Sequence, residues 1–235
     1  MTTRIRSVIL AAGMGTRLGL PEPKPLTPVS GSETIFDQQR MHLEKFFADD
    51  LDLHLVVGHM AERFDFLSGS AGLHVNPRYQ ETNTSKSLLV ALNAIPAGPV
   101  LWMNGDVVFS DGVLDKCASH MSQGKSFMVV NTAHTAEEEV KYTLDDSGAI
   151  STIGKNISDA LGEAIGINFV CSADRPKLRD ALEKVQDEDY FEAGIQLLLS
   201  EAAARFEPVF VELGDAIEVD TSEDLARAKG RFERI

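Results

Sequence analysis

The sequence predicts an α/β fold: a mostly parallel sheet flanked by helices, with a small hairpin-containing lobe attached. Three observations carry this reading. Over residues 7–132, short apolar runs of strand length alternate with segments whose apolar residues recur at helical spacing. Clusters rich in glycine, proline, asparagine and aspartate punctuate the alternation. Past residue 139 the rhythm changes to period-2 alternation around a turn, the mark of an antiparallel hairpin. With 235 residues, 43% of them hydrophobic, the chain can fill one core, and residues 1–235 are read as a single domain.

Residues 7–12 read as a buried first strand, and residues 13–28 as a loop that carries Arg17 and Lys24. Thr34 is placed to cap a helix with Phe36, Arg40, Leu43 and Phe47 near one face, although the arginine makes that face imperfect. A second strand at 53–58, a short helix at 61–67 and a third strand at 73–77 follow. Beyond Thr84, Leu88, Leu92 and Ile95 recur at helical spacing until Pro96 ends the run. The fourth strand, 99–103, leads directly into Asn104, Gly105 and Asp106; Asp111 begins a further helix and 126–132 form a fifth strand. Val140, Tyr142 and Leu144 then alternate, Asp145 to Gly148 turn, and 149–153 return as the second arm of the hairpin. The continuous apolar run 164–171 suits a sheet interior. Helices at 175–188 and 192–204 and a strand at 209–213 precede a last helix bearing Leu225 and Ala228, with Thr221 and Asp224 as a capping pair in which aspartate replaces the usual glutamate.

The formal charge is 22 minus 36, or −14, which repels nucleic acid and anionic membranes, so neither is expected as a partner. No run of eighteen apolar residues exists, and the N-terminal run 8–12 is too short for a signal peptide or a membrane span, so the expected location is cytoplasmic. Cys117 and Cys171, the two cysteines, read as reduced, packed thiols. His42, His54, His59, His74, His120 and His134 form no zinc-like motif.

The strongest local signal is LAAGMGTRLG at 10–19, followed by Pro23, Lys24 and Pro25. A strand enters a loop with glycines at 13, 15 and 19, where small residues let backbone amides approach phosphate oxygens and Arg17 and Lys24 add charge. Composition alone also permits a structural glycine turn. The order of residues is not that of a P-loop, and the GxG fragment does not continue as GxGxxG. A second feature is WMNGD at 102–106: a carboxylate at the C-terminal edge of a strand can hold a hard cation beside phosphates, though Gly105 and Asp106 alone fit a turn equally well. In the third, AIEVDT at 216–221, Glu218 and Asp220 are two apart in an extended segment and share a face.

Residues 10–24 resemble the signature of the sugar-phosphate and alcohol-phosphate nucleotidyltransferase superfamily, and the resemblance runs from Val8 to about Gly230. It implies a Rossmann-like sheet and a nucleotide held by this loop. Leu10 and Ala11 would help hold the nucleotide, Ala12 and Gly13 would lie near the base or ribose, and Gly15, Thr16 and Arg17 would face the triphosphate. Lys24 would stabilise charge at the reacting phosphate. The resemblance makes Asp106 and Asp220 ligands of Mg²⁺, with Glu218 binding directly or through water; a solvated edge carboxylate is the plainer reading of Glu218. Arg17, Lys24, Asp106 and Asp220 form the implied catalytic set.

Residues 79–87 (YQETNTSKS) resemble the Asn-Thr/Ser-rich segment of the phosphocholine cytidylyltransferase branch, where Tyr79, Glu81, Thr82, Asn83, Thr84 and Ser85 would read the nucleotide. A cap and surface turn explains each of these residues as well. Residues 189–192 (DYFE) resemble an acidic-aromatic segment near the acceptor in that branch: Tyr190 or Phe191 would face a cation such as choline, with Glu192 adding attraction. Lys155 is placed for the acceptor phosphate and Glu163 for its polar head, a surface lysine and a hairpin-edge carboxylate being the plainer readings, and the acceptor-binding stretch is read as about 133–208. The expected reaction joins CMP from CTP to a small phosphorylated alcohol, phosphocholine among the candidates, and releases pyrophosphate. Phosphonates and sugar phosphates stay within the acceptor class, and a homo-oligomer stays open. The competing enzyme is a sugar-1-phosphate nucleotidyltransferase using UTP or dTTP. A non-catalytic nucleotide sensor explains the glycine loop, but explains the separated carboxylates less well.

Overall fold

Strand β1 (Arg6–Ala11) is the organising strand, because its side chains alternate between two apolar faces. The computed structural model describes residues 4–15, 18–132 and 139–232. Thr16 and Arg17 of the glycine loop, His134, and the start of the expected acceptor stretch at 133–138 lie outside the described residues. In chain order the elements are β1, β2 (Pro28–Ser30), β3 (Glu33–Thr34), α1 (Ile35–Phe47), β4 (Leu53–Val57), β5 (Gly72–Val75), α2 (Thr84–Ala94), β6 (Val100–Asn104), β7 (Val107–Phe109), α3 (Gly112–Gln123), β8 (Phe127–Val130), β9 (Lys141–Leu144), β10 (Ile150–Gly154), β11 (Gly162–Val170), α4 (Arg175–Lys184), α5 (Phe191–Ser200), β12 (Glu207–Phe210), β13 (Ala216–Glu218) and α6 (Ser222–Phe232).

Among the described residues the main sheet has nine strands. Its parallel half runs β5, β4, β1, β6, as continuous apolar strands joined by helical crossovers require. β11 lies antiparallel to β6 and carries two branches: β8, itself parallel to β12, and the hairpin β9–β10. The expected hairpin is therefore continuous with the main sheet through β11. Its turn is closed by Asp145, whose carboxylate accepts from the Ser147 and Ala149 amides. On one face Ile9, Leu55, Met103 and Phe127 pack with Leu43 of α1 and Val113 and Cys117 of α3. On the other, Val8, Val56, Trp102 and Met128 pack with Leu88, Leu182 and Ile195 of α2, α4 and α5. Burial pushes the Cys117 thiol up to about 12, leaving it an inert packed group.

Several local expectations need correction. The short helix expected at Ala61–Leu67 is present and is of the 3-10 type. The helix expected over 175–188 ends at Lys184, where Val185 is extended and the Gln186 amide donates to Asp189. The helix expected over 192–204 starts at Phe191 and ends at Ser200. The buried face of α1 is Ile35, Phe36, Gln38, Gln39, His42 and Leu43, while Arg40 turns outward to pair with Glu44. Polar residues can face inward there because the Gln39 amide donates to the Asn104 and Val107 carbonyls, and Gln38 exchanges hydrogen bonds with the Phe109 backbone. Both capping pairs form: Thr34 with Asp37, and Thr221 with Asp224. No helix among the described residues is long and apolar enough to cross a membrane.

Candidate active site

The parallel strands β1 and β6 are in register with Leu10 opposite Asn104, so the loops leaving their C-terminal ends emerge side by side. Gly105 locks the two together: its amide donates to the Leu10 carbonyl at 2.9 Å. A Cβ at this position would meet that oxygen at 2.7 Å and the Pro25 ring at 2.8 Å. β13 pairs antiparallel with β7, Glu218 opposite Val107, and the Val219 amide donates to the Asp106 carbonyl. This short ladder carries Asp220, distant in sequence, to Asp106. A 3-10 turn, Lys24–Leu26, anchored by buried Pro25, presents Lys24 between them. The Lys24 ammonium lies 2.8 Å from Asp106 Oδ2 and donates a second, short hydrogen bond to Asp220 Oδ1.

These groups open into a cleft of about 400 Å³. Leu10, Ala11, Gly13 and Gly15 line its loop side, and Tyr79, Thr82, Asn83 and Thr84 line a second wall at the N-terminus of α2. Asp106, Glu218, Asp220 and Lys24, together with Lys155, Tyr190 and Glu192, complete its lining, with Glu192 near enough to Glu218 to raise its carboxyl. Other expected residues do not line it. Ala12 is buried and its carbonyl accepts from the His59 amide. Glu81 is exposed and pairs with Arg78. Ser85 is fully buried inside the N-terminal turn of α2. Glu163 accepts from the Asn131 amide at 2.7 Å. Phe191 is fully buried, edge-on to Trp102 with ring centroids 5.6 Å apart, so it belongs to the core.

The cleft also holds residues that sequence reasoning missed. Glu139, half-buried, shares the wall with Lys155. Asn104 donates from its side chain to Glu218 Oε1 at 3.4 Å. Gly166, at a register shift in β11 with φ +57°, lies so close to this pair that a Cβ would meet Asn104 Nδ2 and Glu218 Oε1 at 2.6 Å. The positive φ is glycine's territory, and the missing side chain makes room for the carboxylate. A lone glycine inside the run 164–171 was the only local hint.

Electrostatically the site is a crowded set of carboxylates around two ammoniums. Burial alone would depress Lys24, but Asp106 and Asp220 outweigh it and its pKa is raised, so it stays charged. Burial, then repulsion from Asp106, Glu139, Glu192 and Asp220, holds the Glu218 carboxyl well above the usual range. Burial and the neighbouring Glu163 raise Glu139. Burial pushes Glu192 up to about 7, against opposing pulls from its own backbone amide and from Lys155.

Residues 7–229 match the model of the MobA-like NTP transferase domain. CMP-5'-(3-aminopropyl)phosphonate synthase from Streptomyces rubellomurinus is 39% identical over 124 residues, 49% of this chain and 19% of that protein. The bifunctional IPC transferase and DIPP synthase of Archaeoglobus fulgidus is 29% identical over 95% of this chain and 43% of that protein. The chain thus spans less than half the length of either relative. The solved structure of CTP:phosphocholine cytidylyltransferase from Streptococcus pneumoniae is similar in fold, with a TM-score of 0.79 at 20% identity over 98% of this chain and 100% of that one.

Proposed function

The chain belongs to the MobA-like NTP transferase domain family, and on that premise we propose that it transfers CMP from CTP to a small phosphorylated alcohol or phosphonate, releasing pyrophosphate. The observation that carries this reading is Lys24 held between Asp106 and Asp220 at the edge of the glycine loop. The acceptor's phosphate oxygen attacks the α-phosphorus, a new P–O bond forms, and the bond to the β-phosphate oxygen breaks so that pyrophosphate leaves. No covalent enzyme intermediate is needed, because the acceptor phosphate is itself the nucleophile. The protein's part is positioning and charge stabilisation. The loop amides of 13–15 and Lys24 receive the triphosphate, and Thr82, Asn83 and Thr84 supply polar contacts to base and ribose. The stretch 133–208 contributes Lys155, Tyr190 and Glu192 to the acceptor end.

The carboxylates fit Mg²⁺. Asp106 Oδ1 is buried and has no hydrogen-bond partner among the described residues. Asp106, Asp220 and Glu218 offer only hard oxygen donors, the class this ion prefers. Asp106 and Asp220 would hold it, with Glu218 beside them. Bound there, the ion would neutralise charge on the phosphate oxygens. Among the described residues no group of three or more His, Cys, Asp or Glu side chains is arranged as a metal site. Mg²⁺ that keeps water and phosphate ligands requires only one or two carboxylates.

CTP is favoured over other nucleotides by the CMP product that names the Streptomyces relative and by the CTP specificity that names the pneumococcal enzyme. The test is pyrophosphate release for CTP, UTP, dTTP, ATP and GTP, each with phosphocholine, inositol phosphate, an aminoalkyl phosphonate and glucose 1-phosphate. The expected result is the highest kcat/KM with CTP and an alcohol phosphate or phosphonate. Highest efficiency for glucose 1-phosphate with UTP or dTTP would overturn the substrate assignment, and nucleotide binding without pyrophosphate release would overturn catalysis.

A further inference from the structure

We propose that His54 and His74 form a site for a transition-metal ion of the Zn²⁺, Ni²⁺ and Cu²⁺ class, on the main sheet and outside the cleft. The site is independent of the nucleotidyl-transfer reading, and neither histidine lines the cleft.

The two histidines are twenty residues apart, so no spacing in the sequence links them. The parallel pairing of β4 and β5 does. His54 stands opposite Gly72 and Val56 opposite His74, which sets both imidazoles on one face of the sheet at neighbouring positions. His54 Nδ1 and His74 Nε2 face each other at 3.1 Å, with ring centroids 5.2 Å apart and ring planes 31° from parallel. Two nitrogens on one tetrahedral ion, each roughly 2.0–2.1 Å from it, stand about 3.3 Å apart. The pair is thus close to ligand spacing before any ion binds. Gly72 makes this approach possible. A Cβ there would meet His54 Nδ1 at 2.3 Å and His74 Nε2 at 3.3 Å, so the glycine keeps open the space where the two nitrogens converge. β5 is an edge strand of the sheet and His74 is half-buried, which leaves an entry path for an ion.

A carboxylate stands behind the pair. His54 Nε2 lies 3.1 Å from Asp52 Oδ1, and Asp52 is itself 3.5 Å from Arg6 Nε. A ring lone pair would be repelled by a carboxylate oxygen at that distance, so Nε2 holds the proton and Nδ1 turns its lone pair to His74. A carboxylate behind the far nitrogen is the arrangement that orients a metal-binding imidazole and raises its basicity. Without an ion, the proton on His74 Nε2 fills the gap between the rings. An ion would take its place, and that proton would move to Nδ1 of the same ring. Burial lowers the pKa of both imidazoles and outweighs Asp52 at His54, so both rings are in the neutral, ligating form at pH 7. Imidazole nitrogen suits Zn²⁺, Ni²⁺ and Cu²⁺, whereas Mg²⁺ prefers hard oxygen, so the pair discriminates against the ion proposed for the cleft. Two protein ligands leave the remaining positions to water.

The experiment is calorimetric titration of the full chain with Zn²⁺, with Mg²⁺ in excess to fill the oxygen sites. Zn²⁺ binding is expected in the parent chain, weakened about tenfold or more in His54→Gln and again in His74→Gln. It should be unchanged in His120→Gln, which removes an imidazole that pairs with Glu207 elsewhere on the surface. Anomalous diffraction from Zn²⁺-soaked crystals of the parent chain needs no variant, so it decides the matter even where a variant fails to fold. It should place the ion roughly 2.0–2.1 Å from both His54 Nδ1 and His74 Nε2. Absence of Zn²⁺ binding, full retention of binding in either folded histidine variant, or an anomalous peak only at other residues would each overturn the proposal and leave the two rings as a structural hydrogen bond. Neither measurement uses a nucleotide or turnover, so failure here leaves the transferase reading standing, and failure of that reading leaves the metal site standing.

Discussion

Glu192→Gln makes the charge state of the cleft measurable through stability alone. In the folded chain burial holds this carboxyl at about 7, whereas its ordinary value is 4.5. Between these values the folded state binds the proton more tightly than the unfolded state. Stability is therefore highest where both states are protonated, and it falls as pH rises toward the folded value. At about 1.4 kcal/mol per pH unit, the full penalty of ionising Glu192 in place is about 3 kcal/mol, of which about 2 kcal/mol develops between pH 5.5 and pH 8. Glutamine keeps the shape and never ionises, so the variant escapes this penalty. Urea unfolding of parent and variant at both pH values gives the stability gap at each. Any constant cost of the amide, and the titration of groups that do not feel Glu192, cancel in the change of that gap, whereas Glu218, which Glu192 helps to raise, shifts with it. The variant should gain on the parent by about 2 kcal/mol on going from pH 5.5 to pH 8. A gap that stays within about 0.5 kcal/mol over that interval would show that Glu192 ionises as easily as a surface carboxyl. It would refute the argument from burial.

Asp106→Asn and Asp220→Asn should each fold and lose turnover by on the order of a hundredfold, with a weakened Mg²⁺ response, because each removes an anionic oxygen from beside Lys24; circular dichroism with Mg²⁺-dependent rates checks this, and a parent-like metal response would exclude the assignment. Lys24→Ala should raise the nucleotide dissociation constant and slow single-turnover transfer, and parent values for both would reduce Lys24 to a structural ion pair. Gly166→Ala should cost at least about 1–2 kcal/mol from its left-handed backbone alone. Displacement of Asn104 and Glu218 should also lower activity beyond what the stability loss explains, and an unchanged melting temperature would contradict the close approach.

What was legible in the sequence was local chemistry. The strand-to-glycine-loop passage, the carboxylate at the end of β6 and the Glu-x-Asp pair each announce themselves within ten residues, and Lys24, Asp106 and Asp220 do meet. Contacts made by tertiary packing were not legible. The ladder of β7 and β13 is three residues long on each side, too short for a periodic signal, yet with the Val219 amide on the Asp106 carbonyl it carries Asp220 to Asp106. Gln38 and Gln39 face the core because their amides meet backbone carbonyls at the sheet edge, a pairing that no period in the sequence signals. Tyr190 and Phe191 are neighbours of similar type, but the start of α5 sends one to the cleft and the other to the core. Period and composition cannot separate two aromatic residues at a helix boundary.

The charge of the cleft ties these parts together. Among the described residues its lining carries five carboxylates, Asp106, Glu139, Glu192, Glu218 and Asp220, against two ammoniums, Lys24 and Lys155. Lys24 is already committed to Asp106 and Asp220. A nucleoside triphosphate is a polyanion, and these carboxylates favour its entry together with cations; Arg17 of the glycine loop lies outside the described residues. The proposed reaction therefore asks for positive charge beside this cluster. Beside Asp106 and Asp220 a divalent ion would let the phosphates approach and would release Lys24 to face them. On the proposed function, the excess of carboxylates, which by itself looks hostile to a nucleotide, would hold the counter-charge that the triphosphate needs.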